Sequence, residues 1–99
     1  MFDSMAFEWD EVKAASNLEK HGIDFPLARR VFLDTDRLEF ESHGEYDERR
    51  WTVTGLIDNR LLVLIYTIRG ERYRLISARR ADRNERRRYW NRDDETGFE

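Results

Sequence analysis

Cysteine is absent from the 99-residue chain, proline occurs once and histidine twice. The lack of cysteine excludes disulfide bonds, thiolate nucleophiles and cysteine-ligated zinc, so an apolar core must stabilise the fold alone. No apolar run approaches the roughly 18 residues that a membrane-spanning helix needs, and the first residues lack the basic start and apolar core of a secretory signal. These absences predict a protein of the reducing cytoplasm that makes no contact with a membrane.

The length of the chain limits the kind of site that it can form. Ninety-nine residues correspond to one domain, and a domain of this size buries only roughly 60–65% of its surface. We therefore expect an open groove on a sheet rather than a deep cavity. We predict a single domain over residues 1–92 and an acidic, frayed tail over residues 93–99.

Positive charge is concentrated in the second half of the chain. Residues 1–48 carry 13 acidic and 5 basic side chains, whereas residues 60–92 carry 11 arginines and 3 acidic side chains. All of the basic residues except Lys13 and Lys20 are arginine. Guanidinium groups bind phosphate in a bidentate way and stack on bases, which indicates a polyanionic partner. Neutralisation of the basic half by the acidic half explains the same charges equally well.

The first third of the chain has the pattern of two helices joined at a glycine. Asp10 and Asp24 stand at N-cap positions, and Gly22 suits the residue that follows a helix, which predicts a first helix over residues 11–21. The apolar residues at helical spacing are Val12, Ala15 and Leu18 in the first helix and Leu27, Ala28, Val31 and Phe32 in the second.

From Leu38 onward the apolar pattern changes to a period of two, which indicates strands. Four strands with tight turns predict an antiparallel meander, and a short strand over residues 7–9 precedes the helices. Asp82 and Glu85 have capping-box spacing and predict a last helix over residues 83–91. The predicted fold class is α+β: a short N-terminal strand, two helices on one sheet face, a four-stranded antiparallel meander and a C-terminal helix.

Arginines cluster at the ends of the last two predicted strands. The cluster consists of Arg69, Arg72, Arg74, Arg79 and Arg80. Strand alternation places Arg72 and Arg74 on one face and Arg79 on the other. These side chains can hold a phosphate or protect an edge strand from aggregation. The position of Arg79 and Arg80 before a helix cap favours a functional role, whereas an edge role suits Arg72 and Arg74.

His21 and Lys20 stand at the predicted end of the first helix. Histidine can take a proton from a ribose hydroxyl or give one to a leaving oxygen, and the lysine can pair with a phosphate. The helix dipole alone also explains cations in a last turn. The Thr67 hydroxyl can bond a phosphate, although threonine is common in strands.

Four aromatic residues have two interpretations each. Trp51 and Tyr73 can stack on bases but fit the core better, and Tyr89 and Trp90 suit either the core or a partner interface.

The chain has no Gly-rich phosphate loop, zinc-protease motif or nucleophile elbow. The only two histidines are far apart in sequence, which argues against a metal site built from histidine, and we predict no metal site and no cofactor. The alternative is a Mg²⁺ site built from the abundant but scattered carboxylates alone.

Several stretches, taken together in this order, resemble the BrnT family. They are Phe7-Glu-Trp-Asp, Asn17-Leu-Glu-Lys-His-Gly-Ile-Asp-Phe, Ala28-Arg-Arg-Val-Phe, Val63-Leu-Ile-Tyr-Thr-Ile-Arg69, Arg74-Leu-Ile-Ser-Ala-Arg-Arg-Ala81, and Glu85-Arg86 with Tyr89. The resemblance covers residues 7–90. The Lys-His-Gly-x-x-Phe and Ile-Ser-Ala-Arg-Arg-Ala segments are its most specific parts.

The resemblance implies a RelE-like fold and a cytoplasmic toxin of a type II toxin–antitoxin system. Such toxins are metal-independent endoribonucleases that arrest growth. It also implies a BrnA-like ribbon-helix-helix antitoxin as partner, RNA as substrate, contact with operator DNA through the antitoxin, and a toxin dimer within a heterotetramer as one possible assembly. The alternative is a non-catalytic, arginine-rich module that binds nucleic acid or protein.

The resulting hypothesis assigns a role to each candidate residue. The catalytic set is His21, Lys20, Arg69, Arg79 and Arg80, and the RNA-binding set is Thr67, Arg50 and Arg74. A protein that cleaves RNA is expected to be basic, whereas the net charge of this chain is −3. The high local density of arginine in the second half of the chain explains this difference in part.

Overall fold

The computed structural model describes residues 5–43 and 48–96 and has the predicted α+β architecture. Its elements in chain order are β1 (Phe7–Glu8), α1 (Glu11–His21), α2 (Phe25–Ala28), a 3-10 turn (Arg29–Leu33), β2 (Leu38–His43), β3 (Arg49–Ile57), β4 (Arg60–Arg69), β5 (Arg72–Arg80) and α3 (Arg83–Thr96). The second predicted helix is thus a single α-turn that continues as a 3-10 turn.

The five strands form one sheet in the order β1-β5-β4-β3-β2. Strands β2 to β5 are the predicted antiparallel meander. Strand β1 adds a fifth, parallel strand beside β5, with Phe7 opposite Tyr73. Because this pairing joins residues 66 positions apart, local sequence patterns contain no signal for it.

The helix ends follow the predicted capping residues. The Asp10 side chain accepts hydrogen bonds from Val12 N and Lys13 N, and Asp24 accepts one from Leu27 N. Gly22 ends α1 with φ of 70°, a left-handed conformation that glycine adopts without strain. The predicted capping box also forms, but α3 continues to Thr96 rather than ending near residue 91.

The core lies between one sheet face and the segment formed by α2 and the 3-10 turn. Its fully buried side chains include Phe25, Val31, Val53, Leu62 and Leu64. Gly55 allows the 3-10 turn to approach β3, because a Cβ at this position would lie 2.9 Å from Val31 Cβ. A larger residue would therefore push the two elements apart.

Helix α1 contacts the sheet differently from the prediction. The predicted apolar stripe is largely exposed: Val12 is 78% and Leu18 49% accessible, and the buried residue of α1 is Asn17. The reason is that α1 lies along the edge of β5, where Asn17 bonds to the backbone of Ala78. A polar side chain is needed there because the backbone groups of a strand edge require hydrogen-bond partners.

A β-bulge in β5 changes which arginines share a face. Ile65 pairs with Ser77 and Tyr66 with Leu75, so Ile76 is the extra residue. The core side of β5 therefore carries Leu75 before the bulge and Ala78 after it. The prediction that Arg79 lies on the opposite face from Arg72 and Arg74 is wrong, because the extra residue shifts the alternation by one.

Helix α3 lies across the sheet face opposite the core. Glu85 binds Arg79 of β5, the Tyr89 hydroxyl donates a hydrogen bond to Asp34, and the Arg88 guanidinium lies 5.5 Å from the Phe40 ring centroid. The chain's own last helix thus covers part of the sheet face opposite the core.

Candidate functional site

The end of α1 and the bulge of β5 form a shallow surface groove. It is lined by Lys13, Ser16, Asn17, Lys20, His21, Ile76 and Ser77. Lys20 and His21 are exposed at its helical side. Along β5, the groove residues Ile76 and Ser77 stand between Arg74 and Arg79, two predicted phosphate ligands that do not themselves line the groove.

Asn17 holds the two walls of this groove together. Its Nδ2 donates hydrogen bonds to Ile23 O at 3.0 Å and Ala78 O at 2.8 Å, and its Oδ1 accepts one from Ala78 N at 3.1 Å. These bonds fix the end of α1, and with it Lys20 and His21, against β5. The residue was missed in the sequence because a single buried asparagine produces no periodic signal.

A row of candidate residues crosses the sheet on the face opposite the core. Arg74 pairs with Thr67, and the Thr67 hydroxyl reaches β3 at the residue before Arg50. Arg69 and Arg72 pair with each other at the β4–β5 turn. We call this surface the arginine face; it consists of Arg50, Arg69, Arg72, Arg74 and Arg79.

Two arginines of this face share one carboxylate of β1. Arg74 Nη1 lies 2.9 Å from Glu8 Oε2, and Arg72 Nε lies 3.9 Å from Glu8 Oε1. A single acidic side chain leaves net positive charge on this edge. Arg50 Nη2 lies 3.5 Å from Glu48 Oε1, and within the described residues its buried Nε has no hydrogen-bond partner.

Arg79 is held by α3. Its Nη1 and Nη2 each donate a hydrogen bond of 2.8 Å to the Glu85 carboxylate. The hydrogen bonds from Arg79 lower the pKa of Glu85 and raise the pKa of Arg79 itself. The sequence indicated Glu85 only as part of a capping box. The structure shows that the same carboxylate also fastens α3 to β5.

Thr67 has a structural contact of its own. Its hydroxyl donates a hydrogen bond of 2.6 Å to Arg49 O, and the residue is 4% exposed. This bond joins β4 to β3 at the end of their ladder. The placement of Thr67 gives no direct support to the predicted contact with RNA.

The remaining candidates lie at different distances from the groove. Arg80 is exposed at the end of β5, three residues after Ser77. Arg69 lies four residues beyond Ile65, the partner of Ser77, so about 13 Å of strand separates it from the groove. Within the described part of the chain, neither Arg69 nor Arg80 forms an ion pair.

The aromatic residues divide between core and surface. The Trp51 ring stacks on Tyr66 with centroids 5.7 Å apart, and Tyr73 packs against Phe7 at 5.7 Å, so both are partly buried against the core, as the core interpretation predicts. On α3, Tyr89 is buried whereas Trp90 is 57% exposed.

Over residues 5–43 and 48–96, the histidine, aspartate and glutamate side chains form no group of three or more that could hold a metal ion. In the same part of the chain, the helices are too short or too polar to cross a bilayer.

Fold and site together define a small α+β protein with a histidine-bearing groove at the edge of a cationic sheet face that α3 covers in part, a combination suited to a polyanion. Residues 9–85 match the family described as ribonuclease toxin, BrnT, of type II toxin-antitoxin system. The chain therefore belongs to this family of ribonuclease toxins, and membership of a toxin–antitoxin system gives it an antitoxin as partner. Among curated proteins, none matches the chain.

Proposed function

We propose that the protein is an endoribonuclease that cleaves RNA in the groove between α1 and β5 without a metal ion. The observation that carries this proposal is the placement of His21 and Lys20 at Ile76 and Ser77. Histidine moves protons near neutral pH, and the neighbouring cations suit a phosphodiester.

The proposed reaction is an attack within the RNA itself. The ribose 2′-oxygen bonds to the adjacent phosphorus, the bond from phosphorus to the 5′-oxygen breaks, and a 2′,3′-cyclic phosphate forms. The 2′-hydroxyl loses a proton and the leaving 5′-oxygen gains one. His21 carries out one of these two transfers, and Lys20 stabilises the charge that develops on the phosphoryl oxygens.

The arginines have graded roles in this proposal. Arg79 and Arg80 follow Ser77 by two and three residues along β5 and assist at the scissile phosphate. Arg69, Arg74 and Arg50 belong to the arginine face and hold neighbouring phosphates. Thr67 is not part of the proposed set, because its hydroxyl is used between strands.

Cleavage of a structured RNA in EDTA tests the proposal. We expect His21→Ala to lower kcat by about 10²–10⁴-fold, the usual contribution of a positioned acid or base, with an unchanged unfolding curve. His43→Ala is the matched control: it removes the other histidine, which is exposed at the end of β2, and should change kcat less than about twofold.

Two results would contradict the proposal. Activity that survives His21→Ala places the chemistry elsewhere, and activity that requires added Mg²⁺ rules out the metal-free reaction. Folded protein that binds RNA with a steep salt dependence but never cleaves it would instead support the non-catalytic binding module.

The biological role is proposed from the family. Expression of the chain in the cytoplasm should arrest bacterial growth, and co-expression of a BrnA-like ribbon-helix-helix antitoxin should restore it. The mass of the purified complex tests the heterotetramer with a toxin dimer, and operator binding by the complex but not by the free toxin tests the indirect contact with DNA.

A further inference from the structure

The outer side of α3 carries arginines that form no ion pair within the described residues. The helix contacts the rest of the chain through Glu85, Arg88 and Tyr89. Its opposite side presents Arg83, Arg86, Arg87 and Trp90, which are all exposed. We call these four residues the outer stripe of α3. Their spacing of three and four residues places them along one side of the helix.

The three arginines of the stripe are not neutralised within the described residues. None of them forms an ion pair there, whereas the nearby Arg79 has Glu85 as its partner. Exposed guanidinium groups without a carboxylate create a local positive potential that attracts anions. Among the described residues, no ion pair has to break for an anion to bind the stripe.

Trp90 adds a stacking surface at the end of the stripe. It is 57% exposed, and its ring meets the buried Tyr89 ring edge to face, with centroids 4.9 Å apart. Trp90 also lines a surface pocket with Asp34 and Tyr89, and it keeps more than half of its surface accessible. Base stacking on such rings is a general means of binding single-stranded nucleic acid.

The stripe follows the proposed active groove closely along the chain. About 10 Å of strand separates Ser77 in the groove from Arg80, and α3 begins three residues later. From Arg83 to Trp90 the helix rises roughly another 10 Å. The bond between Arg79 and Glu85 holds this helix against β5, the strand that forms one wall of the groove.

We propose that the outer stripe binds single-stranded RNA beyond the cleaved nucleotide, with phosphates on the arginines and a base on Trp90. RNA suits the stripe because its three arginines form no ion pair within the described residues, so they are available to phosphates, and because the exposed Trp90 beside them can stack on a base. This inference rests on the proposed ribonuclease function and adds a second RNA contact outside the catalytic groove.

The test compares two variants that remove the same net charge. Arg83→Gln/Arg87→Gln removes unpaired charge from the stripe. Arg30→Gln/Arg49→Gln removes two exposed arginines that already have carboxylate partners. Affinity is measured on a long single-stranded RNA whose 2′-oxygens are methylated, since this RNA cannot undergo the proposed reaction. The measurement therefore stays valid even if the proposed chemistry is wrong.

We expect the stripe variant to weaken binding and to reduce the slope of log affinity against log salt by about 1.4, because two phosphate contacts are lost. The control variant should keep most of the slope. Trp90→Ala should weaken binding by about fivefold or more. Cleavage of a dinucleotide, which is too short to reach α3, should stay within about twofold of wild type in both stripe variants.

Two outcomes would overturn the inference. The first is equal RNA affinity and salt slope for the stripe and control variants. The second is unchanged RNA affinity together with lost affinity for the purified antitoxin, which would make the stripe a protein-binding surface.

Discussion

Asn17→Ala removes the side chain that joins the end of α1 to β5. The truncation leaves three backbone groups without their partner: Ile23 O, Ala78 O and Ala78 N. Asn17 itself is 7% exposed, so water does not already share these bonds. The substitution therefore tests whether this clamp supports both the stability of the fold and the geometry of the groove.

The three bonds allow the size of the effect to be worked out. Each hydrogen bond contributes about 1 kcal/mol net, and alanine returns about 0.5 kcal/mol through its higher helix propensity. The free energy of unfolding should thus fall by about 2–3 kcal/mol. For a domain of this length, such a loss lowers Tm by about 10–20 °C.

Urea and thermal unfolding measure the loss, with Ser16→Ala as the matched control. Ser16 is the exposed neighbour of Asn17 on the same helix and also lines the groove. Its substitution should change stability by less than about 0.5 kcal/mol. If Asn17→Ala unfolds within a few degrees of Ser16→Ala, the clamp does not hold α1 in place and the argument fails.

Two further substitutions separate structural from chemical roles. Glu85→Gln removes the charge that binds Arg79, and because the side chains are partly exposed we expect a loss of about 1–2 kcal/mol near neutral pH. Since the pKa of Glu85 is lowered in the folded protein, this stabilisation is present at pH values above the ordinary glutamate pKa and is lost as the pH falls through the lowered pKa. Urea unfolding at neutral and acid pH should therefore show the difference in free energy of unfolding between variant and wild type decreasing toward acid pH. A difference that stays constant with pH would refute the ion pair. Thr67→Val should cost about 1 kcal/mol and leave kcat unchanged; a fall in kcat at unchanged stability would instead make Thr67 an RNA ligand.

The helix ends and the meander were predictable because their causes are local. The Asp10 and Asp24 side chains cap amides two or three residues away, and alternating strands with short turns pair with their neighbours in sequence. The two candidates at the end of α1, Lys20 and His21, could also be placed on one element from the sequence.

The burial of α1 could not be predicted, because it depends on what the helix meets. Val12 and Leu18 have the spacing of a buried stripe, yet the edge of β5 presents backbone donors and acceptors rather than apolar side chains. The bulge at Ile76 is equally invisible in the alternation pattern. It nevertheless decides that Arg74 and Arg79 share a face.

The sequence by itself determined the class of fold, the positions of its elements, the family and the charged residues from which a site could be built, because caps, turns and alternation act over a few residues. Only the tertiary structure decided how those residues are used. In the folded chain, Arg79 binds Glu85, the Thr67 hydroxyl donates a hydrogen bond to the Arg49 carbonyl, and Asn17 joins α1 to β5 at the groove. Each of these contacts depends on which elements pack together, and that packing follows from the burial of the whole core.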